Sequence, residues 1–301
     1  MIGAASLLAC LTPAVAQQEP AIFRSETRLV LLHATVVDKS GHLVTNLGRN
    51  AFKVFENGVE QELKLFRRED VPVSLAIVID NSGSMRDKRQ KVEAASVALV
   101  KASNPQDEVM VVNFNDEAYE DVPFTNDIKR MEEGLTRIDS RGGTAMRDAI
   151  SMTIDRVRER AKKDKKVLLI VTDGNDNTSA ISLEKLVQKA HESEIMHYAI
   201  GLLSEEERGE ARRARRALET LTTASGGLAY YPKDVAEVEK LALQVAHEIR
   251  NQYILAYTPK VQNLDGSFHQ IKVAVNGPNR PVARTRTGYY ATPEPAKRSA
   301  R

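Results

Sequence analysis

The sequence contains no tryptophan and only one cysteine, Cys10. Any surface of this chain that binds a partner therefore lacks the large indole anchor that is common at binding surfaces. Cys10 lies in an N-terminal segment that we expect to be cleaved off, and the mature chain would then have no thiol. Disulfide bonds and thiolate-bound metals are thereby excluded. The net charge of +2 is too small to attract nucleic acid or anionic lipid, so neither is an expected partner.

The N-terminus has the pattern of an export signal. Residues 2–15 carry no charge, and residues 14–16 (Ala-Val-Ala) fit the small-x-small cleavage rule. We therefore expect residues 1–16 to be a signal peptide and Gln17 to begin a secreted or periplasmic protein. No basic residue precedes the apolar stretch, which a misplaced start codon would explain. A buried N-terminal helix and a lipoprotein modified at Cys10 are the alternatives, and no later segment is apolar enough to span a membrane.

Two β-rich segments flank the centre of the chain. Residues 26–70 have the strand pattern, and Asn57-Gly58 is a strong hairpin-turn signal between arms at 53–56 and 59–66. The chain returns to this pattern at 252–290, where the last predicted strand runs from 282 to 290. Neither flank offers enough strands for a core of its own. We therefore expect the two flanks to pair into one β-sandwich-like domain, followed by a disordered tail at 291–301.

The segment between these flanks, residues 73–251, alternates strands with helices. Residues 74–79 and 166–171 are near-continuous apolar runs, which is typical of strands buried on both faces. Such alternation predicts an α/β domain with a doubly wound, mostly parallel sheet flanked by helices. The fold class expected for the whole chain is thus an α/β domain inserted in a β-sandwich-like domain.

Polar side chains follow both apolar strands. Asp80, Ser82 and Ser84 come directly after the first strand, and Asp173 follows the second. Thr144 ends a Gly-rich loop just before a predicted helix. Ligands bind at the carboxyl ends of strands in open α/β sheets, and these five residues fall there. Their hard oxygen atoms suit Mg²⁺, or less specifically Mn²⁺ and Ca²⁺; the alternative is that the two acids merely cap turns and helices.

In order and setting, these five residues match the metal-ion-dependent adhesion site of von Willebrand factor A-type domains. The resemblance covers about residues 73–251, and the whole chain looks like the bacterial proteins related to this family. It implies a Rossmann-like fold in which the hydroxyls of Ser82, Ser84 and Thr144 bind the metal. Asp80 and Asp173 would contribute directly or through water. An open coordination position would accept a carboxylate from a protein partner.

Three functions remain in competition at this point. The first is a secreted or periplasmic adhesion module that captures an acidic group of a partner protein through Mg²⁺. The second is a scaffold for envelope assembly, in which the metal is purely structural. The third, a metal-assisted hydrolase, lacks an identifiable general base, so we predict no enzymatic activity and no catalytic residue.

A basic helix is predicted over residues 205–224. Its arginines alternate with glutamates, so it is either a solvated helix with internal ion pairs or a face for an acidic partner. The arginines are Arg208, Arg212, Arg213, Arg215 and Arg216.

Overall fold

The computed structural model describes residues 29–68, 70–135, 140–174, 176–203 and 208–292. The expected signal peptide and the expected C-terminal tail beyond residue 292 lie outside these described residues. The strands are β1 Val30–Val37, β2 Phe52–Glu56, β3 Val59–Gln61, β4 Leu63–Arg67, β5 Val73–Asp80, β6 Glu108–Phe114, β7 Ala118–Thr125, β8 Lys165–Thr172, β9 Met196–Gly201, β10 Ala229–Tyr230, β11 Tyr253–Tyr257, β12 Phe268–Val275, β13 Val282–Arg284 and β14 Gly288–Tyr290. The helices are α1 Arg89–Lys101, α2 Ile128–Leu135, α3 Met146–Arg160, α4 Leu183–Ser193, α5 Arg208–Ser225 and α6 Val238–Arg250.

The central sheet has the order β10-β9-β8-β5-β6-β7. All its neighbouring strands are parallel except β6 and β7. Every residue of β5 is buried, because alternate side chains enter two different cores. Ile77 packs with residues of α1, α2 and α6 on one face, and Val78 packs with residues of α3, α4 and α5 on the other. The predicted doubly wound, mostly parallel sheet is confirmed.

The edge strand β7 was not predicted from the sequence. It runs from Ala118 to Thr125 and pairs antiparallel with β6. Only Val122 in this strand is fully buried. An edge strand that is half exposed carries charged residues and so lacks the apolar pattern that marks β5.

Strands from both flanks form two four-stranded sheets. One has the order β13-β1-β11-β4, and the other has the order β14-β12-β2-β3. Leu32 and Val54 from the N-terminal flank share one core with Leu255 and Ile271 from the C-terminal flank. The two flanks thus build a sandwich-like unit around the inserted α/β segment, as the fold-class prediction stated.

Two of the predicted strands are wrong in extent, because each crosses from one sheet to the other. The arm predicted at 59–66 breaks at Glu62: β3 completes the hairpin with β2, and β4 pairs with β11 in the facing sheet. The strand predicted at 282–290 also splits, so that β13 pairs with β1 and β14 with β12. Corners at which a chain changes sheets keep the apolar–polar alternation, and the sequence pattern therefore does not reveal them.

The sandwich packs against the carboxyl ends of helices from the α/β domain. Thr287 links it to two helices: its N–H donates to the carbonyl of Ala224 (3.1 Å), and its hydroxyl lies 3.1 Å from Nε2 of His191. The Arg284 guanidinium pairs with Glu248 near the end of α6 (2.5 Å). Because helices and strands run in opposite directions in such a domain, this surface lies opposite the carboxyl ends of the parallel strands.

Candidate metal centre

Asp80 is the last residue of β5, and its side chain is fully buried. Both of its carboxylate oxygens are oriented by hydrogen bonds. The Ser82 N–H donates to Oδ1 (2.8 Å), and the Thr172 hydroxyl donates to Oδ2 (2.6 Å). The carboxylate is thereby fixed at the carboxyl edge of the sheet, between the ends of β5 and β8.

A short 3₁₀ turn, Gly83–Met85, places Ser82 and Ser84 on one side of the loop after β5. Their hydroxyl oxygens lie 3.1 Å apart. Met85 is fully buried and anchors this turn in the core. Two hydroxyl oxygens at this separation are close enough to bind the same cation.

Thr144 is held by the Gly-rich loop that precedes α3. Gly142 adopts a φ of +74°, and a Cβ there would lie 2.0 Å from Oδ2 of Asp116. The Gly143 N–H donates to Oδ1 of the same Asp116 (2.8 Å), and the Thr144 N–H donates to Asn177 (2.9 Å). The backbone conformation at position 142 therefore favours glycine, and a larger residue there would also displace the Asp116 carboxylate that binds the Gly143 N–H.

Asp173, directly after β8, is nearly buried, and only one of its oxygens is paired. Lys88 at the start of α1 places its ammonium 3.0 Å from Oδ2. Oδ1 is inaccessible to solvent and accepts no hydrogen bond from any residue that the structure describes. A buried carboxylate oxygen without a partner is costly, and a bound cation is one way to satisfy it.

The surroundings of Asp80 disfavour its ionised form. Burial, and then the nearby negative charge of Asp173, raise the pKa of Asp80 from 3.8 to about 6. The hydrogen bonds from Ser82 and Thr172 only partly offset this increase. A divalent cation held between the two carboxylates would reverse the effect, because bound metal ions are the largest local charges in such sites.

The predicted residues come together in one open cleft. Ser82, Ser84, Thr144 and Asp173 line it, and Asp80 lies directly behind the two serines. In the part of the chain that is described, no group of three or more acidic, His or Cys residues could hold a metal. A metal ion in this cleft would therefore need the hydroxyls as well as the carboxylates, and a set of oxygens alone would suit Mg²⁺.

The sequence interpretation missed three residues that support this site. Lys88 pairs with Asp173, and Thr172 orients Asp80. The third is Arg89, which is fully buried and donates to the side-chain oxygens of Asn81 (3.2 Å) and Asn113 (3.1 Å). Thr172 is adjacent to Asp173 in the chain, so its place at the strand end was the available signal. Nothing in the local pattern distinguishes the two cations from ordinary surface residues of a helix.

Hydroxyl, amide, ammonium and carboxylate groups supply the polar lining of the cleft. Among the described residues that line it, Asp173 and Glu210 are the carboxylates, and there is no His or Cys. Ser82 and Ser84 contact each other and have no basic partner among the described residues, so neither has the neighbour that would activate a nucleophile.

Comparisons with known proteins agree with this fold. The model of the family described as von Willebrand factor type A domain matches residues 75–175. The solved structure of von Willebrand factor type A from Catenulispora acidiphila has a TM-score of 0.51 at 13% identity, covering 89% of this chain and 74% of that one. Proximal thread matrix protein 1 from the mussel byssus has a TM-score of 0.51 at 15% identity, covering 65% of this chain and 50% of that one.

A third solved structure is the conserved hypothetical protein BatB from Bacteroides thetaiotaomicron. It is 18% identical, covers 59% of this chain and 98% of that one, and has a TM-score of 0.48. No curated protein matches the sequence. The two solved structures with a TM-score of 0.51 establish the fold alone at such low identity, and the function has to be argued from the site.

Proposed function

Because this chain contains a von Willebrand factor type A domain, a class of protein-interaction module, we propose that it binds a partner protein through a divalent cation held at the carboxyl edge of its central sheet. The metal is Mg²⁺, with Mn²⁺ and Ca²⁺ as the other hard cations that an all-oxygen set accepts. The hydroxyls of Ser82, Ser84 and Thr144 would hold it together with Asp80 and Asp173. The partner supplies an acidic side chain.

The observation that carries this proposal is the buried carboxylate oxygen of Asp173 that lacks a hydrogen-bond partner among the described residues. Its Oδ1 has no partner among the described residues, although two hydroxyls of the neighbouring loop line the same cleft. Mg²⁺ would neutralise Asp80 and Asp173, and the third carboxylate of the cleft, Glu210, lies 3.8 Å from the Arg213 guanidinium. The Lys88 ammonium then leaves the cleft with a surplus positive charge. A carboxylate from a partner would be attracted by that surplus and would fill the open coordination position.

Calorimetric titration of Mg²⁺ into chelator-treated protein tests the metal site. We expect one binding event, which is abolished in Asp80→Ala and retained in Asp155→Ala. Asp155 is a matched control, because it is an exposed acid that pairs with Lys189 outside the cleft. Equal binding by the two variants would contradict the assignment of the metal site.

Partner capture distinguishes adhesion from the other two functions. We expect affinity capture from the native cell envelope to recover a partner in Mg²⁺ and to lose it in chelator. If the same partner is recovered in chelator, the result favours a scaffold with a purely structural metal. Turnover of hydrolase substrates that stops in chelator favours the metal-assisted enzyme.

We further propose that the protein acts outside the cytoplasm, as the export pattern of residues 1–16 suggests. Among the described residues, every helix is too short or too polar to cross a lipid bilayer.

A further inference from the structure

A second cleft, here called the basic groove, lies beside the metal site. Its cationic lining consists of Arg208, Arg212 and Arg215 from α5 and Lys233 from the loop after β10. No acidic residue is found among the described residues that line it. Ala211 lines both the basic groove and the metal cleft, so the two clefts are adjacent.

The position of the basic groove relative to the metal site is fixed by packing. A Cβ on Gly174, directly after Asp173, would lie 2.5 Å from Cβ of Ala214. Only a glycine there lets α5 pack so tightly against the loop that ends in the metal site. Gly201, the last residue of β9, likewise leaves room for the Tyr231 ring in the floor of the groove.

The charges of the basic groove are largely available to a ligand. Arg208, Arg212 and Lys233 are exposed and form no ion pair with any other residue that the structure describes. The Arg215 guanidinium lies 3.7 Å above the centre of the Tyr231 ring and 3.7 Å from Glu219. These two contacts hold its side chain in place more than those of the other three cations. Guanidinium groups bind carboxylates in a two-point geometry that suits acidic side chains.

We propose that the metal site and the basic groove form one docking surface for an acidic segment of the partner protein. One carboxylate of that segment binds the metal, and further acidic side chains next to it enter the groove. This inference rests on the proposed function and adds the class of sequence that is recognised. Nucleic acid fits less well, because Arg215 covers the Tyr231 ring on which a base would stack.

Two synthetic peptides test this proposal in buffer of low ionic strength. One is rich in Glu, and the other has a single Glu with Gln at the remaining acidic positions. We expect the wild-type protein in Mg²⁺ to bind the Glu-rich peptide about tenfold more tightly, with the difference lost at high salt. Fluorescence anisotropy measures the tighter complex, and NMR titration measures the weaker one.

Two double variants with the same change in net charge distinguish a specific docking surface from attraction by the overall positive charge of the protein. Arg208→Glu with Arg212→Glu alters the basic groove, and Arg158→Glu with Arg216→Glu alters exposed arginines that line neither cleft. We expect the first pair to remove the preference for the Glu-rich peptide and leave Mg²⁺ affinity unchanged. The second pair should retain the preference.

Several outcomes overturn the proposal. The first is an equal loss of the preference for the Glu-rich peptide in both double variants. The second is that wild-type protein shows no preference between the peptides or does not bind the Glu-rich one. The third is equally tight competition by a single-stranded oligonucleotide. The proposed function fails separately, if chelation has no effect on the single-Glu peptide while the groove variant still weakens binding of the Glu-rich one.

Discussion

The Thr172 hydroxyl donates a 2.6 Å hydrogen bond to Oδ2 of Asp80 across two neighbouring parallel strands. The register of β5 and β8, in which Ile79 lies opposite Val171, brings these strand ends together. The same hydroxyl accepts from the Gly174 N–H (2.9 Å). One side chain thus orients a carboxylate of the proposed metal site and also fixes the start of the loop that follows Asp173.

We predict that Thr172→Val weakens Mg²⁺ binding about tenfold, in line with the loss of an outer-shell hydrogen bond to a ligand. Valine keeps the shape but neither orients Asp80 nor accepts from Gly174. Thr153→Val is the matched control, because Thr153 is equally buried but donates to the carbonyl of Ala149 within α3. Calorimetry should show unchanged Mg²⁺ affinity in the control, and a similar loss in both variants would contradict the specific role of Thr172.

The raised pKa of Asp80 predicts a pH-dependent stability of the metal-free protein. A carboxyl whose pKa rises from 3.8 to about 6 on folding destabilises the folded state above that range, because the unfolded chain ionises more easily. The penalty is absent near pH 3.8 and complete above about pH 6, where it is on the order of 3 kcal/mol.

The variant Asp80→Asn isolates this effect from other titrating groups. In chelator we expect it to be more stable than the wild-type protein at pH 7, with the difference shrinking as the pH falls towards 4. Urea unfolding at several pH values measures the difference. In excess Mg²⁺ the order should reverse, since the metal stabilises only the protein that binds it. A difference that does not change with pH would show that Asp80 is not the group responsible.

Lys88 already provides Asp173 with part of the positive charge that a bound metal would supply. Its ammonium lies 3.0 Å from Oδ2 of Asp173 and is only about a quarter exposed. Removing it should leave the metal-free site more negative and raise Mg²⁺ affinity severalfold. We therefore predict tighter Mg²⁺ binding in Lys88→Met than in Lys91→Met, which removes an exposed charge from the same helix. Weaker binding in Lys88→Met would mean that this lysine supports the metal site.

The sequence predicts the central sheet correctly and places the candidate ligands at the ends of its strands, because both inferences depend on local patterns. Buried parallel strands are continuous apolar runs, and their carboxyl ends place Asp80 and Asp173 at one edge. The partner of Asp173 could not be found this way. Lys88 is distant in the chain and resembles any lysine on a helix surface, and its pairing depends on how α1 packs.

The sandwich illustrates a second limit. Alternation marks each residue as facing in or out, but a strand that crosses between the two sheets keeps the same alternation. Leu63 and Leu65 continue the pattern of β3 although β4 belongs to the other sheet. Which sheet a strand joins depends on its pairing with strands that are distant in the sequence. The local apolar–polar pattern does not encode that pairing.

Export is predicted from residues 1–16, which lie outside the described residues. Protein recovered from its native host should begin at or near Gln17, because cleavage follows the small residues at 14–16. N-terminal mass spectrometry of the intact protein measures this directly. An intact Met1 on protein from the cytoplasmic fraction would contradict the prediction, and a lipid on Cys10 would favour the lipoprotein alternative.

The last prediction concerns the dependence of the N-terminal flank on the C-terminal flank. Strand β1 lies between two strands of the C-terminal flank, with Val30 opposite Tyr257 and Val37 opposite Val282. Deleting residues 252–301 would remove both neighbours of β1 and leave the core side chains Leu32 and Val54 uncovered. We expect that protein to aggregate or to lose protease resistance within residues 29–68, since unpaired edges and exposed apolar faces promote association.

The control for this deletion is a protein that lacks only residues 293–301, which should keep the stability of the full chain. Limited proteolysis with mass spectrometry of the fragments compares the two. The deletion should affect the proposed metal site less than the sandwich. Asp80 and Asp173 lie at the sheet edge opposite the one that the sandwich covers. If residues 29–68 stay protease-resistant in the longer deletion, the N-terminal flank folds independently, and its pairing with β11 and β13 contributes little to its stability.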